Sequence, residues 1–388
     1  MSETHVKPYE DLLVVSLEQA VAAPLASCHF AQGGARVIKI ERDSGDFARK
    51  YDSAVKGTAS YFVWANHGKE SLCLDIKSPE DAALLHSILD TADVFIQNLA
   101  PGAIGRAGFG SDVLRARNPR LITCDISGYG EDGAYQDMKA YDFLVQCESG
   151  LVAVNGAPDA PGRIGVSVCD IGASMNAIIG IQKALVARDK TGKGSAVRVS
   201  LFDTAADWMT VPLMHAVYAG KAPKPAGLHH PSIAPYGGFV TSDGETLAIS
   251  IQNEREWKRL CAEVFAQPEL ATDPRFCDAA RRVENRSALD AIVAGFFLMK
   301  TRVQLEPMLR EAAIAYGAVN SVETFAEHPQ LRRTPVTLEN GETAHLVAAP
   351  VQHSFEPSEP SFGRVPALGE HSDSIRSEFA GQALAAGE

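Results

Sequence analysis

Between residues 11 and 42 the chain reads as strand, helix, strand with almost nothing in between: DLLVVSLE (11–18), AVAAPLASCHFAQGGA (20–35) and RVIKIER (36–42). Pro24 falls in the first turn of the helix, where its missing N–H breaks no bond, and Gly33-Gly34 suit its end. Two strands joined through a helix lie parallel, and a parallel sheet needs helices on both faces. The alternation continues through SLCLDI (71–76), a helix over about 79–91, DVFIQ (93–97) and, after AIGRAGFGSDVLRARNP, RLITCDIS (120–127). It persists over the first 200 residues and ends in SAVRVSLFDTAADWMTVPLM. The expected class is α/β, with a Rossmann-like large domain.

The character changes near residue 220. KAPKPAGLHHPSIAPYGG is a connector rich in Pro, Gly and His, and GFVTSDGETLAISI reads as a hairpin turning at Asp243-Gly244. Helical segments of mixed charge follow, and then a Pro-rich, extended tail ending in a helix at SDSIRSEFA. The expected divisions are 1–220 for the N-terminal part of the large domain, 226–330 for a smaller α+β domain, and 331–388 for an extended return to the large domain.

The net charge of −12 argues against a general nucleic-acid binder, so an anionic ligand would need a locally basic pocket. Lys39, Arg42, His67, Lys69, Arg106 and Lys139 lie at or near strand ends and would form one if their loops converge. Seven scattered cysteines, never as CxxC, point to free thiols in a reducing cytoplasm, without a disulfide framework or zinc site. No apolar run has the length of a membrane span, and the N-terminus lacks the pattern of a signal peptide.

Within GRIGVSVCDIGASMNAIIGIQKALVAR (162–188), the alternation of Ile164, Val166 and Val168 predicts a strand, and Ile171–Leu185 predicts a buried helix. Asp170 sits at the joint and is the only charged residue from Ile164 to Ile181. It lacks a capping-box partner, since Ala173 stands three residues on. Spacing leaves two roles open, a helix cap or a reactive carboxylate at the helix's positive end. Neighbouring Cys169 is no thiolate nucleophile, because an adjacent acid raises a thiol pKa. The Gly128-x-Gly130-x-x-Gly133 pattern belongs to a late strand, carries Glu131 and Asp132, and precedes no clean helix start, which argues against a dinucleotide loop. His229-His230 lacks metal-ligand spacing, and Ser127 and Ser149 lack a nucleophile-elbow context.

Six phrases in order carry a resemblance: ARVIKIER (35–42), NHGKESLCLDIK (66–77), DVFIQNLAPGAI (93–104), NPRLITCDISGYGEDGAY (118–135), YDFLVQCESGLV (141–152) and PALGEHSD (366–373). Together they resemble the family III coenzyme A transferases, the CaiB/BaiF family. The resemblance implies an interlocked homodimer and a nucleophilic aspartate at Asp170. It also implies CoA contacts at Arg42, Asn66, His67, Asn98, Leu99, Arg106, Lys139, Tyr141 and Asp142. CoA enters as a thioester substrate, with no permanently bound cofactor and no metal. Asp170 would be held ionised by the helix start, whose N–H groups are candidate oxyanion donors. LEQAVAAP, GDFARKYD, SYFVWANHGKESL and HHPSIAPYGG are similar to the subgroup acting on C4–C5 dicarboxylates: itaconate, mesaconate, malate or citramalate with succinyl-CoA, or intramolecular mesaconyl-CoA C1–C4 transfer. There, His67 and Arg49 are candidates to meet a second substrate carboxylate. A formyl- or oxalyl-type transferase is one alternative, though its glycine-triplet loop is missing. An acyl-CoA racemase is another, and would need a histidine that KAYDF (139–143) does not supply.

Overall fold

The computed structural model describes residues 6–355 and 361–385. It resolves into two compact units. One comprises residues 1–151, 164–210 and 332–388, and the other 152–163 and 211–331.

The first unit is built on a parallel six-stranded sheet. Its strands are β1 (Leu13–Leu17), β2 (Arg36–Glu41), β3 (Glu70–Cys73), β4 (Val94–Gln97), β5 (Ile122–Ser127) and β6 (Ala196–Ser200). Their order is β3-β2-β1-β4-β5-β6, the doubly wound arrangement expected from the alternation. Successive strand residues serve opposite faces. Val14, Val94 and Ile96 enter one hydrophobic core with α1 (Ala22–Gln32). Val15 and Phe95 enter another with α3 (Pro79–Thr91), which follows α2 (Ser60–Asn66), and with the C-terminal helix Ser372–Ala385. The expected helix over 79–91 is observed at those residues, with Pro79 at its start.

Four further helices complete the part of the unit that bears on function: α4 (Ala103–Arg106), α5 (Ser111–Arg117), α6 (Asp142–Glu148) and α7 (Val168–Thr191), followed after β6 by α8 (Leu201–Trp208). Helix α7 packs against α8 so closely that a Cβ on Gly172 would lie 2.3 Å from the Trp208 ring. That approach leaves no room for a side chain at position 172. The strand expected at Ile164–Val168 does not form. Val166 is 57% exposed, Gly165 is exposed, and the helix has begun by Val168. The only pairing nearby among the described residues is a two-residue ribbon, Gly156–Ala157 with Ala160–Pro161.

In the second unit the expected hairpin is present as Tyr236–Val240 paired with Thr246–Ser250, with Gly244 at φ 81 in its turn. A third antiparallel strand, Ala315–Ala318, completes that sheet. No helix among the described residues is long and apolar enough to cross a membrane.

Candidate active site

A cavity of about 700 Å³ opens at the carboxyl ends of β1–β4, where the strand order reverses and open α/β sheets bind ligands. Its walls include Gln19, Arg42, Leu74, Lys77 and Leu99, with Ala103 and Ala107 from the α4 side. Two of the sequence candidates, Arg42 and Leu99, line it directly. Arg106 lies on α4 between the two lining alanines, its guanidinium donating to Pro101 O at 3.3 Å. Asn98 acts one step back. Its side chain accepts the Gln19 N–H at 2.9 Å and donates to Gln19 O at 2.8 Å, fixing the β1–α1 loop that walls the cavity. Gln19 and Lys77 were not among the sequence candidates. Both sit just past a strand end, the one signal that could have marked them. The Gly128–Gly133 loop does not line the cavity.

Other candidates lie elsewhere. Asn66 is fully buried, donates to Phe62 O and accepts from Lys69 Nζ at 3.0 Å. His67 is 2% exposed, stacks on Phe362 with 4.3 Å between ring centroids, and is pushed by burial and by Lys69 down to about 3. A neutral, enclosed imidazole offers no positive charge to a phosphate or carboxylate. Lys39 and Lys69, expected in an anion pocket, are instead buried against Glu18 and Asp46. Arg49 is also engaged, giving Glu41 a two-pronged contact at 2.7 and 2.9 Å. The basic loops therefore do not converge as a group. Three of the cationic groups are consumed by buried acids, and Arg42 and Arg106 remain at the cavity.

The helix carrying Asp170 starts in an unusual way. Ser167 occupies the N-cap position but makes no side-chain cap, and Asp170 is the third residue of the helix rather than its cap. The cap comes from another helix. Asp142, 7% exposed at the first position of α6, accepts the Cys169 N–H at 2.8 Å and the Asp170 N–H at 3.4 Å through Oδ1. The flanking N–H groups, of Val168 and Ile171, go to Val166 O and Ser167 O. The helix-start donors expected to stabilise an oxyanion are thus already engaged. The expectation that they hold Asp170 ionised is overturned with them. Burial, and then the charge of Asp142, raise Asp170 to about 7. Asp142, a candidate CoA contact in the sequence, is a buried support for Asp170 in the structure. Cys169 is raised by burial and by both carboxylates to about 12, in keeping with an inert thiol.

Lys139 and Tyr141 occupy the exposed loop entering α6, Tyr141 as its N-cap residue and 64% exposed. Tyr51, missed in the sequence, lies within electrostatic range of both Asp46 and Asp170. Burial, then the charges of Asp46 on the cavity wall and of Asp170, then Tyr141, push its phenol up to about 12. Tyr51 also belongs to a chain of rings with Phe47 and Tyr61, at 5.7 Å each, and Trp64 beyond Tyr61 at 6.2 Å. Asp170 is a half-buried carboxylate, in a unit whose cavity carries Arg42 and Lys77 on its walls. It can offer a nucleophile to an electrophilic carbonyl delivered by an anionic carrier.

Residues 9–372 match the family model described as CoA-transferase family III. The chain is 34% identical to the acetyl-CoA:oxalate CoA-transferase of Acetobacter aceti, over 96% of both chains. It is 31% identical to the succinate–glutarate CoA-transferase of Agrobacterium fabrum, again over 96% of both. The fold is similar to that of a CAIB/BAIF family protein from Brucella suis, with a TM-score of 0.83, 32% identity, and coverage of 97% of this chain and 100% of that one.

Proposed function

The chain belongs to the family III CoA transferases, and from that premise we propose that it moves CoA between dicarboxylic acids through a covalent intermediate on Asp170. The observation that carries the reading is the placement of Asp170, a lone acidic side chain in the first turn of α7, with its backbone N–H and that of Cys169 held by Asp142. The ionised carboxylate attacks the thioester carbonyl of the donor, forming a mixed anhydride and expelling CoA thiolate. The thiolate attacks the aspartyl carbonyl of the anhydride, releasing the donor acid and leaving an aspartyl-CoA thioester. The acceptor carboxylate attacks that thioester, forming a second anhydride and again freeing the thiolate. Attack of the thiolate on the acceptor's carbonyl gives the new acyl-CoA and restores Asp170. Every step exchanges one acyl bond for another, so no net proton transfer is required. In this reading Arg42, Lys77 and Arg106 hold the phosphates of CoA, while Leu99 packs against its apolar parts and Lys139 and Tyr141 border the reacting end.

Substrate choice is tested with an acceptor panel. With succinyl-CoA or acetyl-CoA as donor, at least one of oxalate, glutarate, itaconate, mesaconate, malate and citramalate is expected to accept CoA, while carnitine does not. Transfer to carnitine alone would overturn the dicarboxylate assignment. A loss of CoA from mesaconyl-CoA carbon 1 to its carbon 4 without exchange into added acid would mark the intramolecular case.

We further propose that two copies assemble as an interlocked homodimer. Helices α7 and α8 leave the apolar side chains Met175, Ile179, Val186 and Trp208 exposed, a surface that a second copy would cover. Sedimentation equilibrium is expected to give the mass of two chains at micromolar concentration, and a single-chain mass would refute the assembly.

A further inference from the structure

We infer that Gln146 is a positioning residue of this active site, a buried carboxamide that brackets the Asp142 carboxylate to the segment feeding α7 and so fixes where Asp170 points. The inference rests on the reading of Asp170 as the nucleophile. Gln146 is fully buried and stands one helical turn beyond Asp142, so both side chains share a face of α6. Its Nε2 donates to Asp142 Oδ2 at 2.7 Å and lies 3.4 Å from Ile164 O, while its Oε1 accepts the Ile164 N–H at 2.8 Å. Asp142 Oδ1 in turn accepts from Cys169 and Asp170. Two adjacent side chains of one helix therefore grip both ends of the stretch Ile164–Asp170. Within it, Ile164–Val168 carries the alternating pattern that predicts a strand, and it pairs with no strand among the described residues.

The chemistry of the bracket is directional. Only the amide oxygen can accept the Ile164 N–H, which turns the NH₂ group toward Asp142. A glutamate at 146 has the same shape and still serves Ile164, but it sets a second acceptor against Asp142 Oδ2. The two carboxylates then repel or share a proton. Asparagine at 142 reverses the defect. Its Oδ1 still takes the two helix N–H groups, and its Nδ2 donates to the new glutamate. The double variant thus restores the 142–146 bond with donor and acceptor exchanged and keeps the Ile164 N–H bond, losing only the long contact to Ile164 O.

The test compares the unsubstituted protein, Gln146→Glu and Asp142→Asn/Gln146→Glu. Single-turnover formation of the hydroxylamine-trapped adduct on Asp170 from succinyl-CoA is followed from roughly pH 5 to 9, together with thermal melting. Gln146→Glu is expected to slow adduct formation about 10- to 100-fold at neutral pH and to move the acid limb upward by about one unit. The double variant is expected to return to within about tenfold of the unsubstituted rate, with its limb below that of Gln146→Glu. A merely structural role would lower the melting temperature without moving the limb. An unchanged rate and limb in Gln146→Glu overturns the inference. A double variant that is no faster than the single one, or that fails to fold, overturns it as well. If Gln146→Glu does not fold, recovery of adduct formation in the double variant supports the bracket. Absence of any Asp170 adduct in the unsubstituted protein removes the nucleophile reading, and the inference with it, and is recognised because the control itself fails.

Discussion

Asp170→Ala is expected to reduce CoA transfer roughly a thousandfold or more, because no other group in the reaction sequence can carry the acyl moiety. The unsubstituted protein, incubated with an acyl-CoA and then hydroxylamine, should carry a mass change confined to the Asp170 peptide, absent from the variant. Transfer that survives the substitution would refute the aspartyl route. The raised pKa of Asp170 adds a second expectation. The nucleophile must be ionised, so with a value of about 7 in the free enzyme, kcat/KM should fall about tenfold per unit as pH drops below that value. The same shift sets a stability effect of opposite sense. The folded pKa lies above the unfolded value of about 3.9, so the folded state binds the extra proton between the two. Stability is lost as pH rises through that window. Asp170→Asn should therefore be the more stable protein at pH 8, by on the order of 2–4 kcal/mol, with the gain gone by about pH 4. This is the pattern of a site that sacrifices stability for reactivity. Equal melting temperatures at pH 8 would show that the carboxylate is better solvated than its burial implies.

How much of this was legible in the chain follows from the range of the forces involved. Helix α3 was, because Pro79 and the apolar spacing of Leu85, Ile88 and Leu89 are local signals. So was the hairpin around Gly244, where the turn dictates the pairing. The Ile164–Val168 strand was misread because alternation specifies a strand only if a neighbour accepts its backbone bonds. Here the Ile164 N–H goes to the side chain of Gln146, 18 residues away. The basic residues were misread for a related reason. Nothing in the spacing of Lys39 or Lys69 reveals that Glu18, 21 and 51 residues earlier, meets both in the interior. The pair Asp142 and Gln146 left one faint trace: two polar residues at helical spacing, each facing inward beside Val145. Family phrases located Asp170, but its raised pKa arises from burial and then from Asp142, a residue 28 positions away that only the fold brings alongside.

Lys39→Met is expected to destabilise the large unit by about 3–5 kcal/mol, the usual effect of orphaning a buried charge. Around Lys39 the first turn of the sheet holds three acids, Glu18, Glu41 and Asp46, and three bases, Lys39, Lys69 and Arg49. The acids and the two lysines are at most 3% exposed, so the group is neutral only while all six are present. Lys39 lies 2.9 Å from Asp46 and 3.4 Å from Glu18, and Lys69 lies 2.7 Å from Glu18. Removing one ammonium leaves a net negative charge where water cannot reach it. The effect should extend to the site. Asp46 Oδ1 accepts the N–H of Ala20, a non-glycine residue held at φ 63. Such a conformation persists only where its surroundings fix it. Ala20 follows Gln19 on the cavity wall, so loosening Asp46 should raise KM for acyl-CoA by more than it lowers kcat. Asp46→Asn added to Lys39→Met removes the excess charge while keeping an oxygen for the Ala20 N–H. Urea unfolding should then give a loss for the double variant smaller than the sum of the two single losses, by about 1–3 kcal/mol. Strict additivity, or a loss under about 1 kcal/mol in Lys39→Met, would mean that the interior lysines act as independent surface-like charges rather than as one neutral network.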